Sequence, residues 1–121
     1  MRTVYSTIAT GVGNLVSELM KDKILILFKD NAPDALFDYC VFHNENSLKD
    51  NIVSGDILII GNEEYIITAV GKDAVENLDN LGHVTFKFDG NNEAKLPGTI
   101  HVEDKMIKDI NVGTEIKIVR G

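Results

Sequence analysis

The sequence is poor in the residues that mark several common classes of protein. Its single cysteine, Cys40, cannot form an internal disulfide, so the cysteine content does not indicate an oxidising compartment. The two prolines and the 44% hydrophobic content argue against a disordered chain. The longest apolar run, residues 24–28, is far shorter than the roughly 20 residues that cross a bilayer. The first residues also lack a signal peptide's apolar core, so we expect a soluble, cytoplasmic protein that does not insert into a membrane.

Basic residues are also scarce. The 12 lysines and arginines are outnumbered by 19 aspartates and glutamates, which gives a net charge of −7. Proteins that bind nucleic acids gain affinity by neutralising phosphates with basic side chains, so this balance argues against nucleic acid as the partner. An acidic surface is better suited to a basic protein partner.

What the sequence does contain is a series of short β-like segments separated by glycine turns. At 121 residues, the chain predicts a single domain over residues 1–121. Strands are indicated at 3–9, 23–29, around 39–43, 57–60, 65–70, 83–88, 99–103 and 114–119, and 57–70 has the pattern of a hairpin. Short helices are predicted from Asn14 to about Met20 and from Asp73 to about Asn80, the second ended by Gly82. This order favours an antiparallel barrel or sandwich.

Three histidines, His43, His83 and His101, are the candidates for chemistry near neutral pH. His43 ends an aromatic-rich strand and precedes the polar loop 44–47, so we expect its ring to be held rigidly and to be reachable. His83 and His101 lie on the polar faces of two alternating strands. If those strands pair, both rings could line one surface pocket with Thr85 and Thr99.

Other chemistries have weaker support in the residues. The histidines show no close ligand spacing such as His-x-His, although three of them could bind zinc. Cys40 lies between apolar neighbours and is read as a small buried hydrophobe. No nucleophile-elbow or phosphate-loop glycine motif is present. The residues alone therefore predict a mostly β domain with a candidate histidine site.

Several segments together resemble one known family. They are residues 32–43, residues 67–71 and, most specifically, residues 77–102, which include Leu81-Gly82-His83-Val84-Thr85 and Leu96-Pro97-Gly98-Thr99-Ile100-His101-Val102. The chain is similar in these segments to the glucitol/sorbitol-specific IIA component of the bacterial phosphoenolpyruvate-dependent sugar phosphotransferase system. The similarity runs nearly end to end and is weakest in residues 44–53 and 103–111.

The resemblance implies a fold, a function and a site. The fold would be mostly β, a small closed antiparallel β-barrel of about six to eight strands with two or three short helices. The protein would be a phosphotransferase that accepts a phosphoryl group from the histidine-containing phosphocarrier protein and passes it to the IIB component of the IIB/IIC sugar permease. The family's phosphohistidine falls on His43, and His83 and His101 would be possible donors to the phosphate. No cofactor or metal would be required.

Two other readings remain open from the sequence. The first is a non-catalytic β-barrel module that binds a protein or a regulatory ligand. The second is a metal-binding β-barrel that uses the three histidines as ligands.

Overall fold

The computed structural model describes residues 1–121, and most of its regular secondary structure is in strands. Its two helices are α1 (Val16–Lys21) and α2 (Ala74–Leu81), and a single 3₁₀ turn spans Asp34–Leu36. The nine strands are β1 (Arg2–Val12), β2 (Ile24–Lys29), β3 (Val41–His43), β4 (Ser47–Leu48), β5 (Ile57–Ile60), β6 (Glu63–Val70), β7 (Val84–Lys87), β8 (Thr99–Val102) and β9 (Glu115–Arg120). No helix is long and apolar enough to cross a membrane.

Eight of the strands close into a barrel. They follow the order β3-β2-β7-β8-β6-β5-β9-β1, and β3 also pairs with β1 to complete the ring, while β4 adds to the edge of β1. The predicted closed, mostly β barrel is therefore confirmed. Its pairing is antiparallel except for β2–β3 and β7–β8, which run parallel. Parallel neighbours need long crossovers, and residues 30–40 and 88–98 provide them.

The local predictions hold for most elements. The hairpin forms, with β5 and β6 joined through Gly61 and Asn62. Helix α2 follows Asp73 and ends at Gly82, whose φ of 64° is the left-handed conformation that glycine adopts most easily. Asp73 is the N-cap residue of α2, as the sequence predicts, but its side chain makes no capping hydrogen bond. Helix α1 begins at Val16 with Leu15 as its N-cap, one residue later than expected with Asn14 as the cap.

The alternation of the strands decides which side chains enter the barrel. In β2, Leu25 and Leu27 are buried in the core, so Lys29 lies on the same face at the strand's end. In β3, Val41 points to the core and so does His43, two residues further on. His43 is aligned with Lys29 on one side and with Ala9 of β1 on the other. His43 therefore lies at one end of the barrel, at the seam where β3 closes the ring.

Candidate functional site

The His43 imidazole is held by a hydrogen bond at each ring nitrogen. Nδ1 lies 2.9 Å from the Thr7 hydroxyl on β1, and Nε2 lies 2.7 Å from the Gly82 carbonyl oxygen just after α2. Three separate parts of the chain thus meet at this ring. Strand β3 supplies the imidazole, β1 contacts one nitrogen, and the turn after α2 contacts the other.

These contacts define which nitrogen carries the proton of the neutral ring. A carbonyl oxygen can only accept, so Nε2 must donate its hydrogen to Gly82. Nδ1 then has a lone pair and accepts the hydrogen of the Thr7 hydroxyl. In the resting structure the neutral ring is therefore the Nε2–H tautomer.

The ring is completely buried, with 0% of His43 exposed. Its position at the strand's end agrees with the sequence prediction, but the expected accessibility is wrong for this conformation. Burial lowers the pKa of His43 below its usual value because a charged ring would lose its hydration. The Gly82 hydrogen bond and Asp30 oppose this shift, whereas the positive charge of Lys29 adds to it. The ring is thus held neutral.

The Nε2 edge faces the turn after α2. Gly82 in this turn is itself buried, and the side chain of the half-buried Lys29 packs against it. A Cβ atom added to Gly82 would lie 2.5 Å from Cγ of Lys29, 3.0 Å from Cε1 of His43 and 3.1 Å from Nε2. The Nδ1 edge faces Thr7, and Thr7 and Gly82 are both buried. The turn after α2 is flanked by the exposed Leu81 and the partly exposed His83, so the Nε2 edge is the one that a movement of this turn would uncover.

Asn46 ties this turn to the barrel. Its side-chain NH₂ donates to the carbonyl oxygens of Leu78 and Asp79, 2.9 and 3.2 Å away, in the last turns of α2. Its side-chain oxygen accepts a hydrogen bond from the Tyr5 hydroxyl at 2.7 Å, and its backbone N–H donates to the Thr7 hydroxyl at 3.1 Å. One asparagine thus links the C-terminal end of α2 to the residue that contacts Nδ1.

His83 lies beside Gly82 but its ring is on the other face of the sheet. Val84 is buried, so alternation turns His83 outward, where it stacks on Phe28 with 4.5 Å between ring centroids. Its Nδ1 donates to the Leu27 carbonyl oxygen at 3.0 Å. The imidazoles of His83 and His43 therefore do not face each other, and the role of His83 as a phosphate donor stays a prediction.

His101 lies near the opposite end of the barrel from His43. Across the sheet, His101 is level with Lys87, and Lys87 is level with Ile24 at the start of β2. His43 is level with Lys29, at the other end of β2. Five residue steps of about 3.3 Å place these ends about 17 Å apart. The structure does not bring the two rings together, so the role of His101 as a phosphate donor also stays a prediction.

The His101 ring makes a local contact instead. Its Nδ1 lies 2.8 Å from an Asp89 carboxylate oxygen, and only 5% of His101 is exposed. Partial burial disfavours the charged Asp89 carboxylate, but the hydrogen bonds from His101 and from the backbone N–H of Asn91 outweigh it and lower the pKa of Asp89. The contact fixes the loop after β7 against β8.

The predicted surface pocket and the metal reading find no support in this geometry. Strands β7 and β8 do pair, with Thr85 opposite Thr99, but Thr99 and His101 are buried and no cavity is lined by these threonines or by His83 and His101. No group of three histidine, cysteine, aspartate or glutamate side chains is placed to bind a metal ion. Burial raises the pKa of the Cys40 thiol to about 11, which agrees with an unreactive buried cysteine.

Four residues of the site were not found from the sequence. Thr7, Asn46 and Lys29 carry no motif, and Thr7 lies 36 positions from His43 along the chain. Only Gly82 was singled out by the sequence, as the residue that ends α2. That prediction did not indicate its contact with the His43 ring. A contact made by barrel closure leaves no short-range pattern in a single sequence.

The lowered pKa of His43 predicts a pH dependence of stability. The unfolded chain binds a proton on this residue near pH 6.5, whereas the folded chain binds it only at lower pH. The stabilisation is therefore fully present above about pH 6.5 and is lost as the pH falls to the folded-state pKa. Urea unfolding of the wild type and His43→Gln between about pH 7.5 and 5.5 should show a smaller decrease for the variant. Equal decreases would contradict the assignment.

Comparisons with known proteins agree on one family. Residues 4–117 match the family model described as "PTS system glucitol/sorbitol-specific IIA component". The glucitol/sorbitol-specific EIIA components of Shigella flexneri and of Escherichia coli (strain K12) are each 40% identical over 117 residues, which cover 97% of this chain and 95% of each relative. The crystal structure of the PTS system IIA component from Enterococcus faecalis V583 superimposes with a TM-score of 0.80 at 27% identity, covering 92% of this chain and 96% of that one.

Proposed function

The chain belongs to the glucitol/sorbitol-specific IIA component family of the sugar phosphotransferase system, and from that premise we propose that His43 carries a phosphoryl group. The donor is the histidine-containing phosphocarrier protein, and the acceptor is the IIB component of the cognate IIB/IIC permease. The transported substrate is glucitol/sorbitol, and the transfer takes place in the cytoplasm.

The observation that carries the proposal is the state of the His43 ring. Burial keeps it neutral, and a neutral imidazole has one nitrogen with a lone pair. Once that lone pair is on the nitrogen that meets the donor, it can attack phosphorus. In the transfer, a ring nitrogen of His43 forms a bond to phosphorus while the nitrogen–phosphorus bond of the donor breaks and its electrons return to the donor ring. The second transfer repeats this exchange with the nucleophile of the IIB component.

The buried ring requires a local opening before it can react. The part that moves in this proposal is the turn 81–83 together with the Lys29 side chain, which packs against that turn at the Nε2 edge. Turns at helix ends open at low free-energy cost compared with the core of a barrel.

Lys29 is a cation beside His43 that could contact the phosphoryl oxygens. Its side chain packs on the turn that covers the ring, and its charge already acts on His43 by adding to the decrease of the pKa caused by burial. If the turn moves, the ammonium group can contact the oxygens as a point charge. Phosphoryl transfer depends mainly on such positioning and charge stabilisation.

The partner surface follows from the charge of the chain. A protein of net charge −7 is suited to a donor that presents positive charge around its own phosphohistidine. Asp30, Asn44 and Glu45 are exposed next to the end of β3 and provide polar contacts there. The interface should be modest in area because the carrier has to release each partner quickly.

The test is a phosphorylation assay with the two general proteins of the phosphotransferase system. Incubation with phosphoenolpyruvate should add close to one phosphate per chain, and the label should be acid-labile and base-stable, as a phosphoramidate is. Purified IIB component should then remove the label. A chain that takes up no phosphate under these conditions would refute the proposal.

One observation favours a second candidate, a non-catalytic binding module. Both nitrogens of His43 are hydrogen-bonded and the ring is fully buried, as in a structural histidine. Under this reading His43 only joins β1, β3 and the turn after α2. The same assay separates the two, because a binding module forms complexes without becoming labelled.

A further inference from the structure

We infer that Thr7 is the positioning residue of the phosphate carrier, because its hydroxyl can bond either tautomer of the His43 ring. The inference rests on the proposed function and deepens it. Thr7 is fully buried on β1 and lies 2.9 Å from Nδ1 of His43. It touches neither partner, so its effect is exerted through the orientation and protonation of the imidazole.

The resting hydrogen bonds hold the ring in an unreactive form. The proton on Nε2 is donated to the Gly82 carbonyl, so the nitrogen that faces the turn after α2 has no free lone pair. A carbonyl oxygen cannot donate, and this contact is therefore compatible only with the Nε2–H tautomer or the charged ring. The nitrogen that opening of the turn exposes must lose its proton before it can attack.

Thr7 provides for the other tautomer. A hydroxyl has one hydrogen and two lone pairs, so it can donate to Nδ1 in the resting ring and accept from Nδ1–H afterwards. One lone pair is already used by the backbone N–H of Asn46 at 3.1 Å, which fixes the oxygen in place, and the second remains for the ring. When Nε2 leaves Gly82, its proton passes to water, and Nδ1 takes a proton from water and donates it to Thr7.

The same contact supports the chemical step. The Nε2 lone pair forms the bond to phosphorus while the donor's nitrogen–phosphorus bond breaks, and Nδ1 keeps its proton throughout. The imidazole becomes positively charged as this bond forms. An acceptor oxygen already placed at Nδ1–H stabilises that charge without reorganisation, which is the way fixed dipoles accelerate reactions.

The test compares Thr7→Val, which keeps the shape and removes the hydroxyl, with Thr7→Ser, which keeps the hydroxyl. Thr7→Val should lower the labelling rate at saturating phosphocarrier protein about 10- to 100-fold, with an unchanged KM for that protein; this is the range seen when metal-bound histidines lose the group that orients them. Thr7→Ser should retain most of the rate. Thr3→Val, the same change at a partly exposed position of β1, is the matched control and should not slow labelling.

The outcomes separate the inference from the function on which it rests. If the wild type is not labelled, the proposed function fails. If the wild type is labelled on His43 and Thr7→Val reacts at the same rate, Thr7 has no positioning role and the inference is overturned. A second measurement needs no variant: phosphorylated wild type should show a slowly exchanging Nδ1 proton of His43 in the NMR spectrum, and a rapidly exchanging one would also overturn it.

Discussion

Replacing His43 by glutamine should reduce phosphate uptake from the phosphocarrier protein to background. Glutamine is polar and can keep hydrogen bonds to Thr7 and Gly82, but it has no nitrogen that can form a stable bond to phosphorus. The loss should be complete because the side chain is the acceptor of the group and not a contributor to its stabilisation. The assay is labelling with phosphoenolpyruvate and the two general proteins, with the fold checked by thermal unfolding.

The matching variants of the other two histidines show whether the loss of phosphate uptake is specific to His43. His101→Gln should keep most of the uptake, because the geometry places that ring about 17 Å along the sheet from His43. His83→Gln changes a ring stacked on Phe28 on the outer face and should have only a modest effect. Uptake that survives in His43→Gln but is lost in either of the other variants would move the site to another histidine.

Replacing Gly82 by alanine should affect stability and phosphate uptake together. Alanine in the left-handed conformation costs about 1–2 kcal/mol. The added Cβ would also press on the Lys29 side chain and on the His43 ring, and such overpacking costs about 1–3 kcal/mol. We therefore expect the free energy of unfolding to fall by about 2–5 kcal/mol, measured by urea denaturation.

Gly61 offers a matched control for the backbone part of this effect. It has a φ of 59°, close to the 64° of Gly82, but no atom lies within 4 Å of the position of its Cβ. The free energy of unfolding of Gly61→Ala should therefore fall only by the cost of the left-handed backbone, about 1–2 kcal/mol. Equal decreases in the free energy of unfolding of the two variants would show that Gly82 is not packed against the imidazole in solution.

The two glycine variants should differ more clearly in phosphate uptake. The Cβ atom introduced by Gly82→Ala would lie against Nε2, on the side from which phosphorus has to approach, so this variant should be labelled more slowly than the wild type at saturating phosphocarrier protein. Gly61→Ala lies in the β5–β6 hairpin and should be labelled at the normal rate. Normal labelling of Gly82→Ala would contradict an approach through this turn.

The barrel could be predicted largely from the chain because its strands follow local rules. Alternation predicted that Val84 and Phe86 face inward, and the left-handed preference of glycine predicted the end of α2 at Gly82. The parallel pairs were not predicted. Parallel and antiparallel strands have similar patterns, and the choice depends on how the long crossovers pack.

The site was only half predictable for a related reason. The position of His43 at the end of a strand is local, and the family resemblance singled it out. Its burial is not local, because the cover comes from Gly82 and Lys29 and the partner at Nδ1 comes from Thr7. His101 was mispredicted for the same reason. Alternation along its own strand placed it on a polar face, but it is buried by neighbouring strands and contacts Asp89, which local sequence does not reveal.

The central claim is that the buried His43 ring itself becomes the phosphate carrier. The most direct measurement is a long-range ¹H–¹⁵N NMR spectrum of the three imidazoles in the wild-type chain, recorded before and after phosphorylation. The resonances of His43 should change to those of a phosphohistidine with phosphorus on Nε2, while those of His83 and His101 remain in place. A chain that carries phosphate while the His43 resonances are unchanged would contradict the account.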